Sequence, residues 1–237
     1  MKKRYKVLIF FVGTLAAVSA AFLIYTGVYY HAEDIALAAM GTEDGVAVSQ
    51  TGYGWFLDGP SEENLFVFYP GAKVEETAYM PLLRQLAGRG MDVCLVKMPF
   101  RLAFFGADKA TEVFPLYQHE NRYVGGHSLG GAMAASYAAK HTKTLRGVIL
   151  FAAYPTKTLN DPLMLLSIYG SEDGVLDMEK VANGRQYAPQ RYTERVIAGG
   201  NHAQFGNYGV QKGDGGASVS AEEQQKQTVE LILQTIR

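Results

Sequence analysis

Cysteine is almost missing from this chain: its 237 residues include one, Cys94. An internal disulfide is therefore excluded, and Cys94, within the apolar run Val93-Cys94-Leu95-Val96, reads as a buried, inert thiol rather than a nucleophile. An excess of charge of either sign is missing too. With 22 basic residues against 23 acidic ones, the net charge is −1, so no global field favours nucleic acid or another polyanion as a partner. The histidines are scattered, and no His-x-x-x-His or paired-cysteine spacing occurs. No zinc site is expected and no cofactor is implied. Internal repeats, low-complexity tracts and long charge blocks are also absent, which leaves one folded domain of ordinary size.

What is present begins with an apolar segment. Lys2, Lys3, Arg4 and Lys6 precede the uncharged residues 7–30, which as a helix would run about 36 Å, enough to cross a bilayer core. The run has no polar face, so it does not read as a helix of a soluble core. The basic cluster before it, against Glu33 and Asp34 after it, predicts a single-pass anchor with its N-terminus in the cytoplasm and the domain outside. Tyr25, Tyr29 and Tyr30 would sit in the outer interface. A cleavable signal is the alternative, because Val18-Ser19-Ala20 offers small residues at a cleavage position. Cleavage would release a secreted domain but leave Phe22, Leu23 and Ile24 at a new terminus, which favours the anchor. The chain then divides into a basic segment 1–6, an anchor 7–30, a connector 31–44 and a domain 45–237.

Within the domain, apolar runs at 46–48, 55–57 and 65–69, bounded by turn residues, predict an opening β-meander. Tyr79, Leu82, Leu83 and Leu86 fall at helical spacing, with Thr77 as a cap and Gly88 and Gly90 at the end. Further strands are expected at 93–96, 123–124, 148–152, 165–169 and 195–198, with a helix over 129–141. A last helix opens at Ser220, where Ser220 and Glu223 fit a capping box, and presents Val229, Ile232, Leu233 and Ile236 to the core. Alternating strands and helices predict an α/β fold whose mostly parallel sheet is covered on both faces.

The sharpest motif is Gly125-Gly126-His127-Ser128-Leu129-Gly130-Gly131, set between a strand and an alanine-rich helix. It fits a nucleophile elbow, in which a strained turn raises a serine above the sheet and flanking glycines remove side chains that would collide. A phosphate cradle would end in Lys-Ser or Lys-Thr, and this loop does not. Ser128 needs a base and a group to orient it. The strand at 165–169 runs into Gly170-Ser171-Glu172-Asp173-Gly174, which offers Asp173 as the acid, with Glu172 as the near alternative. Gly199-Gly200-Asn201-His202 offers His202 as the base. His31, His119, His127 and His141 fit that role poorly and are expected on the surface. For the oxyanion, the backbone N–H groups of Leu129 and of Ala72, in Tyr69-Pro70-Gly71-Ala72, are the candidate donors.

With these residues in place, the chain resembles the α/β-hydrolase superfamily over 46–237, in the small bacterial branch related to dienelactone hydrolases and carboxylesterases. Tyr69 to Val74 (Tyr-Pro-Gly-Ala-Lys-Val) and Gly200 to Phe205 (Gly-Asn-His-Ala-Gln-Phe) carry the closer likeness. The resemblance implies triad roles for Ser128, Asp173 and His202. Pro70-Gly71 departs from the His-Gly of many relatives, and serine stands where dienelactone hydrolases use cysteine, so lactone specificity does not carry over. The expected partner is a small ester-like substrate, and the expected activity is ester hydrolysis through an acyl-enzyme; a membrane-tethered scaffold that kept the fold without the chemistry is the alternative. Nothing in the sequence sets an oligomeric state. The short 153–162 segment leaves no room for a cap domain, so an open cleft walled by Phe100, Leu102, Phe104, Phe105, Val113 and Phe114, suited to short or medium acyl groups, is expected.

Overall fold

The structure is a computed structural model that describes residues 2–42 and 45–236. Glu43 and Asp44, which close the expected connector, lie outside the described residues, as do Met1, Arg237 and the side chains of Lys2, Lys3, Arg4 and Lys6. The elements in chain order are α1 (Lys2–Gly27), α2 (Asp34–Ala38), β1 (Ala47–Thr51), β2 (Gly54–Asp58), β3 (Asn64–Tyr69), α3 (Met80–Ala87), β4 (Met91–Val96), α4 (Ala110–Val113), β5 (Asn121–His127), α5 (Leu129–Ala138), β6 (Gly147–Phe151), β7 (Met164–Gly170), α6 (Met178–Gly184), β8 (Arg191–Ile197) and α7 (Ala221–Ile236).

The eight strands form one sheet in the order β1-β2-β4-β3-β5-β6-β7-β8. Only β2 runs against the rest, pairing antiparallel with both β1 and β4. The opening strands are therefore not a meander: β4 lies between β2 and β3. The reason is burial. From Leu65 to Tyr69 every residue of β3 is enclosed, so the strand needs a parallel neighbour on each side, and β4 and β5 supply them.

Alternation along these strands divides the core. Phe66, Phe68, Val93, Leu95, Ile149 and Phe151 point to the face covered by α3 and α7. Leu65, Val67, Cys94, Val96, Val148 and Leu150 point to the face covered by α5 and the 103–114 segment. Each fully buried phenylalanine contributes about 1.5–3 kcal/mol. Val229 and Ile232 of α7 are buried as the periodicity predicts, with Leu233 and Ile236 packed at the margin. Ser220 Oγ caps α7 by accepting from Glu223 N–H at 3.1 Å, but the reciprocal half of the box is replaced by Gln227, whose Nε2 donates to Glu223 Oε1. Thr77 does not cap α3. It sits inside a 3-10 turn (Glu76–Tyr79), its Oγ1 buried without a partner, and Pro81 opens the helix instead.

Helix α1 stands apart from the sheet, and its residues Val7–Gly27 are apolar over a length that suffices to cross a membrane. It ends three residues before the expected limit, because Tyr30 leaves the helix to bridge Val74. The connector is not a free linker: α2 buries Ala36, and Glu33 N–H donates to Asn207 C=O at 2.9 Å.

Where β5 crosses the centre, Gly125 allows the closest strand approach. A Cβ there would meet the carbonyl of Ile149 and, at 2.9 Å, the ring of Phe66. Gly125→Ala is expected to cost about 3 kcal/mol or more through forced displacement of β6, read as a lowered thermal midpoint of the full chain in detergent; an unchanged midpoint would contradict this account of the sheet.

Candidate active site

Strand β5 ends at His127 and helix α5 begins at Leu129, so the chain reverses at Ser128, whose φ of 54° and ψ of −123° are unfavourable for a residue with a Cβ. The turn is held from both sides. Ser128 N–H donates to Phe151 C=O at 2.9 Å, and Ser128 C=O accepts from Ala132 N–H at 3.1 Å. A Cβ on Gly130 would strike the carbonyls of Tyr69 and Pro70, so glycine there lets the elbow pack on the end of β3. The Ser128 hydroxyl does not cap α5, which leaves it uncommitted at a helix N-terminus.

Asp173 and His202 meet from two different loops. His202 Nδ1 lies 2.9 Å from Asp173 Oδ2, both side chains almost fully enclosed. Since a carboxylate only accepts, Nδ1 carries the proton and Nε2 is left as the basic nitrogen. Asp173 Oδ1 accepts from Val175 N–H at 2.9 Å and from Leu176 N–H at 2.7 Å, which fixes the carboxylate. Glu172 is exposed and accepts from Ser171 Oγ instead, so of the two candidates it is Asp173 that reaches the histidine. His202 Nε2 is buried without a partner, and it shares with Ser128 a cleft of about 280 Å³. No hydrogen bond joins that nitrogen to Ser128 Oγ among the described residues.

A second carboxylate, which sequence reasoning missed, organises the loops. Asp214 Oδ1 accepts from His202 N–H at 3.2 Å and Gly174 N–H at 3.1 Å, and its Oδ2 accepts from Ala203 N–H at 2.8 Å. One side chain thus ties the base loop to the acid loop. Gln224 of α7 adds a two-point clamp, its Oε1 accepting from Asn201 N–H at 2.9 Å and its Nε2 donating to Asn201 C=O at 2.8 Å. The signal for Asp214 was its setting between Gly213 and Gly215, where a lone acid is free to gather backbone donors.

His127 is not on the surface. It is buried, its ring centroid 4.4 Å from that of His202. Burial above all, and then the neighbouring His202, push its pKa well below the usual imidazole value, so it is neutral. Tyr79 Oη accepts from Gly71 N–H at 3.1 Å and lies in hydrogen-bond contact with His127 Nδ1 at 2.8 Å. A chain of contacts therefore runs from the Gly71 loop to the base. His119 is also enclosed, with Nε2 at 2.9 Å from Asp92 Oδ2, and belongs to the sheet rather than the surface. Cys94 is buried, its thiol pushed up to about 12 by desolvation, as an inert residue should be.

The candidate oxyanion donors sit on the expected loops. Leu129 opens α5 and lines the cleft, where the first N–H groups of a helix have no helical partner. Ala72 follows Gly71, and its N–H has no hydrogen-bond partner among the described residues. The cleft walls differ from expectation: Ala152, Tyr154, Val175 and Leu176, from the loops after β6 and β7, form them with Lys180 of α6. None of Phe100, Leu102, Phe104, Phe105, Val113 or Phe114 contributes. Phe114 and Val113 are buried on the α5 side of the sheet, while the rings at 100 and 105 turn toward Phe22 of α1. The argument for short acyl groups goes with those walls, although no helix intervenes between β6 and β7 among the described residues, so no cap domain stands there.

A mostly parallel eight-stranded sheet with helices on both faces and a strained serine at a strand-to-helix turn is the architecture of the α/β-hydrolases. The model of the Alpha/beta hydrolase family matches residues 65–226, and the chain belongs to that family. No curated protein sequence matches it. Among solved structures it is similar to a membrane phospholipase A described as a bacterial virulence factor, with a TM-score of 0.58 and 12% identity over 99% of each chain. It is also similar to a dienelactone hydrolase from Anabaena variabilis, at 0.57 and 13% over 81% of this chain and 100% of that one. Est1E from Butyrivibrio proteoclasticus matches at 0.55 and 13% over 81% of this chain and 99% of that one. At these identities the likeness is one of fold.

Two outcomes are expected. Asp214→Ala strands at least three backbone donors and is expected to lower stability by about 1–3 kcal/mol, seen as a reduced denaturation midpoint; an unaltered midpoint would deny it the organising role. For His127, the depressed native pKa means that the unfolded chain takes up a proton, below its value of about 6.5, that the native state refuses. Stability is therefore full above that pH and falls as the solution is acidified through it. In His127→Asn the slope of unfolding free energy against pH between about 6.5 and 5 is expected to shrink by up to one proton's worth, measured by denaturant titration at several pH values.

Proposed function

We propose that the protein is a serine hydrolase that cleaves an ester-like bond through an acyl-enzyme, tethered by α1 as a single-pass anchor with its N-terminus in the cytoplasm and its domain outside. The observation that carries this reading is the buried Asp173–His202 bond, which leaves Nε2 unpartnered in the cleft that contains Ser128. In the reaction, His202 Nε2 takes the proton of Ser128 Oγ as that oxygen bonds to the substrate's carbonyl carbon. The N–H groups of Ala72 and Leu129 receive the negative oxygen of the tetrahedral intermediate, where they act without reorganising. As the carbon–oxygen bond to the leaving group breaks, the imidazolium returns its proton to the departing alkoxide. Water then repeats the sequence on the acyl-serine and releases the acid. Asp173 keeps the imidazole in the productive tautomer and stabilises its charged form.

Support for the anchor comes from the length and composition of α1 and from the basic residues before it. Support for an ester as substrate comes from the serine elbow and the esterase relatives of the fold.

The test is a fluorophosphonate probe on the full chain in detergent. Covalent labelling is expected in wild type and lost in Ser128→Ala, while Ser128→Ala and His202→Ala are each expected to lower turnover of an activated ester by about 10⁴-fold or more without loss of fold by circular dichroism. Labelling that persists in Ser128→Ala would remove the nucleophile assignment. A folded wild type that resists the probe would favour a non-catalytic scaffold.

A further inference from the structure

The aromatic residues that do not wall the cleft stand beside the anchor. Phe22 of α1 makes edge contacts with Phe100 at 5.1 Å and Phe105 at 5.8 Å between ring centroids. Phe104 packs on Phe105 at 5.5 Å. The exposed fractions of Phe100, Phe104 and Phe105 are 47%, 68% and 49%, a concentration of bare aromatic surface that a water-facing loop does not retain without use. Phe100 is held outward at a φ of 54°, a conformation that costs about 1–3 kcal/mol for such a residue.

Depth is set by the helix. The apolar span ends at Gly27, and Phe22 lies five residues before it, about 7.5 Å further along the axis. The rings that touch Phe22 therefore lie below the outer end of the span. Lys73 sits 4.1 Å over the ring of Tyr25, and Arg101 sits 3.4 Å over that of Tyr29, which puts two cations at the level of lipid phosphates. The only carboxylates between residues 98 and 116, Asp108 and Glu112, are paired with Lys140 and Lys109.

The domain is fixed at this angle. Tyr30 N–H donates to Lys73 C=O at 2.7 Å, Glu75 N–H donates to Tyr30 C=O at 2.9 Å, and Lys73 N–H donates to Arg101 C=O at 2.9 Å. These bonds hold the residues that follow Ala72. The aromatic turn also packs on α5, whose N-terminus is Ser128. We propose that the Phe100–Phe105 turn inserts into the outer surface of the bilayer that α1 spans, so that the carboxyl edge of the sheet faces the membrane and the substrate is an acyl ester of a lipid in that bilayer. The proposal rests on α1 as a span and Ser128 as nucleophile. The reaction is the acyl transfer already written, with the lyso-lipid alkoxide taking the proton from His202 and water releasing the fatty acid.

The test places an environment-sensitive nitrobenzoxadiazole label on Phe104→Cys in the full chain, reconstituted in phosphatidylethanolamine–phosphatidylglycerol vesicles. Cys94 is buried with its thiol pushed up to about 12 and does not compete for the label. A second label on Gly13→Cys, a position with open space around it, reports the span. Both labels are expected to be quenched about twofold or more by nitroxide carried on lipid and to be sheltered from aqueous iodide. A lipid-quenched Gly13 label with a water-exposed Phe104 label overturns the proposal and leaves the anchor standing; two water-exposed labels overturn both. For the substrate, Phe104→Ser with Phe105→Ser is expected to keep turnover of soluble nitrophenyl butyrate within about twofold while losing on the order of tenfold in hydrolysis of vesicle phospholipid. Unchanged vesicle hydrolysis, or wild type that cleaves the soluble ester but no lipid, overturns the substrate assignment. Absence of turnover on both substrates removes the nucleophile reading, and the labels still decide the orientation.

Discussion

The reversal of the chain at Ser128 is the constraint on which the rest of the site depends. A left-handed residue between a central strand and a buried helix survives only if its neighbours leave no alternative. Ser128 is pinned by the Phe151 carbonyl on one side and by the first turn of α5 on the other. The glycines around it let α5 approach the end of β3 so closely that a single methyl group at 130 would meet two carbonyls. Alanines at 134, 135 and 138 continue that close approach along the helix. The serine is thus strained by the same packing that builds the centre of the sheet, so it cannot relax without loosening the core.

The Asp173–His202 pair has a different kind of support. Their loops leave the ends of β7 and β8, where Phe205 and Leu176 anchor them in the apolar interior and polar side chains fix the turns between. Asp214 gathers N–H groups from the loops of both residues, and Gln224 holds Asn201 by its backbone from the first turns of α7. These acceptors sit among oriented backbone donors, so they stabilise their loops while leaving Asp173 free to engage His202. The imidazole lies against the neutral ring of His127. A charged ring there would oppose an imidazolium at His202, which the proposed reaction forms, and burial of His127 removes that opposition.

The sheet, the elbow and the two loops that bring Asp173 to His202 were legible because each leaves a local mark: a continuous apolar run, a glycine-flanked serine, or a strand running into Asp or His. Strand order was not. β1, β2 and β3 read in sequence as a meander, and only the enclosure of β3 on both faces separates that reading from the observed insertion of β4. His127 and His119 were misread for a related reason. A histidine's burial depends on a distant partner, Tyr79 in one case and Asp92 in the other, and no spacing announces it. Phe100, Phe104 and Phe105 look like any core segment until the position of α1 shows what lies beside them.

That position bears on how the site is assembled. The residue after Ala72 receives a hydrogen bond from Tyr30, and its own N–H is held by Arg101, so the candidate oxyanion loop is braced by the chain emerging from α1 and by the aromatic turn at once. A helix end that served only as a tether would need no such bonds, since a flexible linker holds a domain near a surface equally well. Here the segment that leaves α1 is hydrogen-bonded to the loop that carries Ala72, and rigidity there has two consequences. It limits the directions in which the cleft can open, and it makes the geometry of Ala72 depend on residues that sequence division would assign to the anchor and connector. The boundary between α1 and the domain therefore falls within the packed structure rather than in a linker, and the loop beside the proposed nucleophile owes part of its shape to the segment that leaves α1.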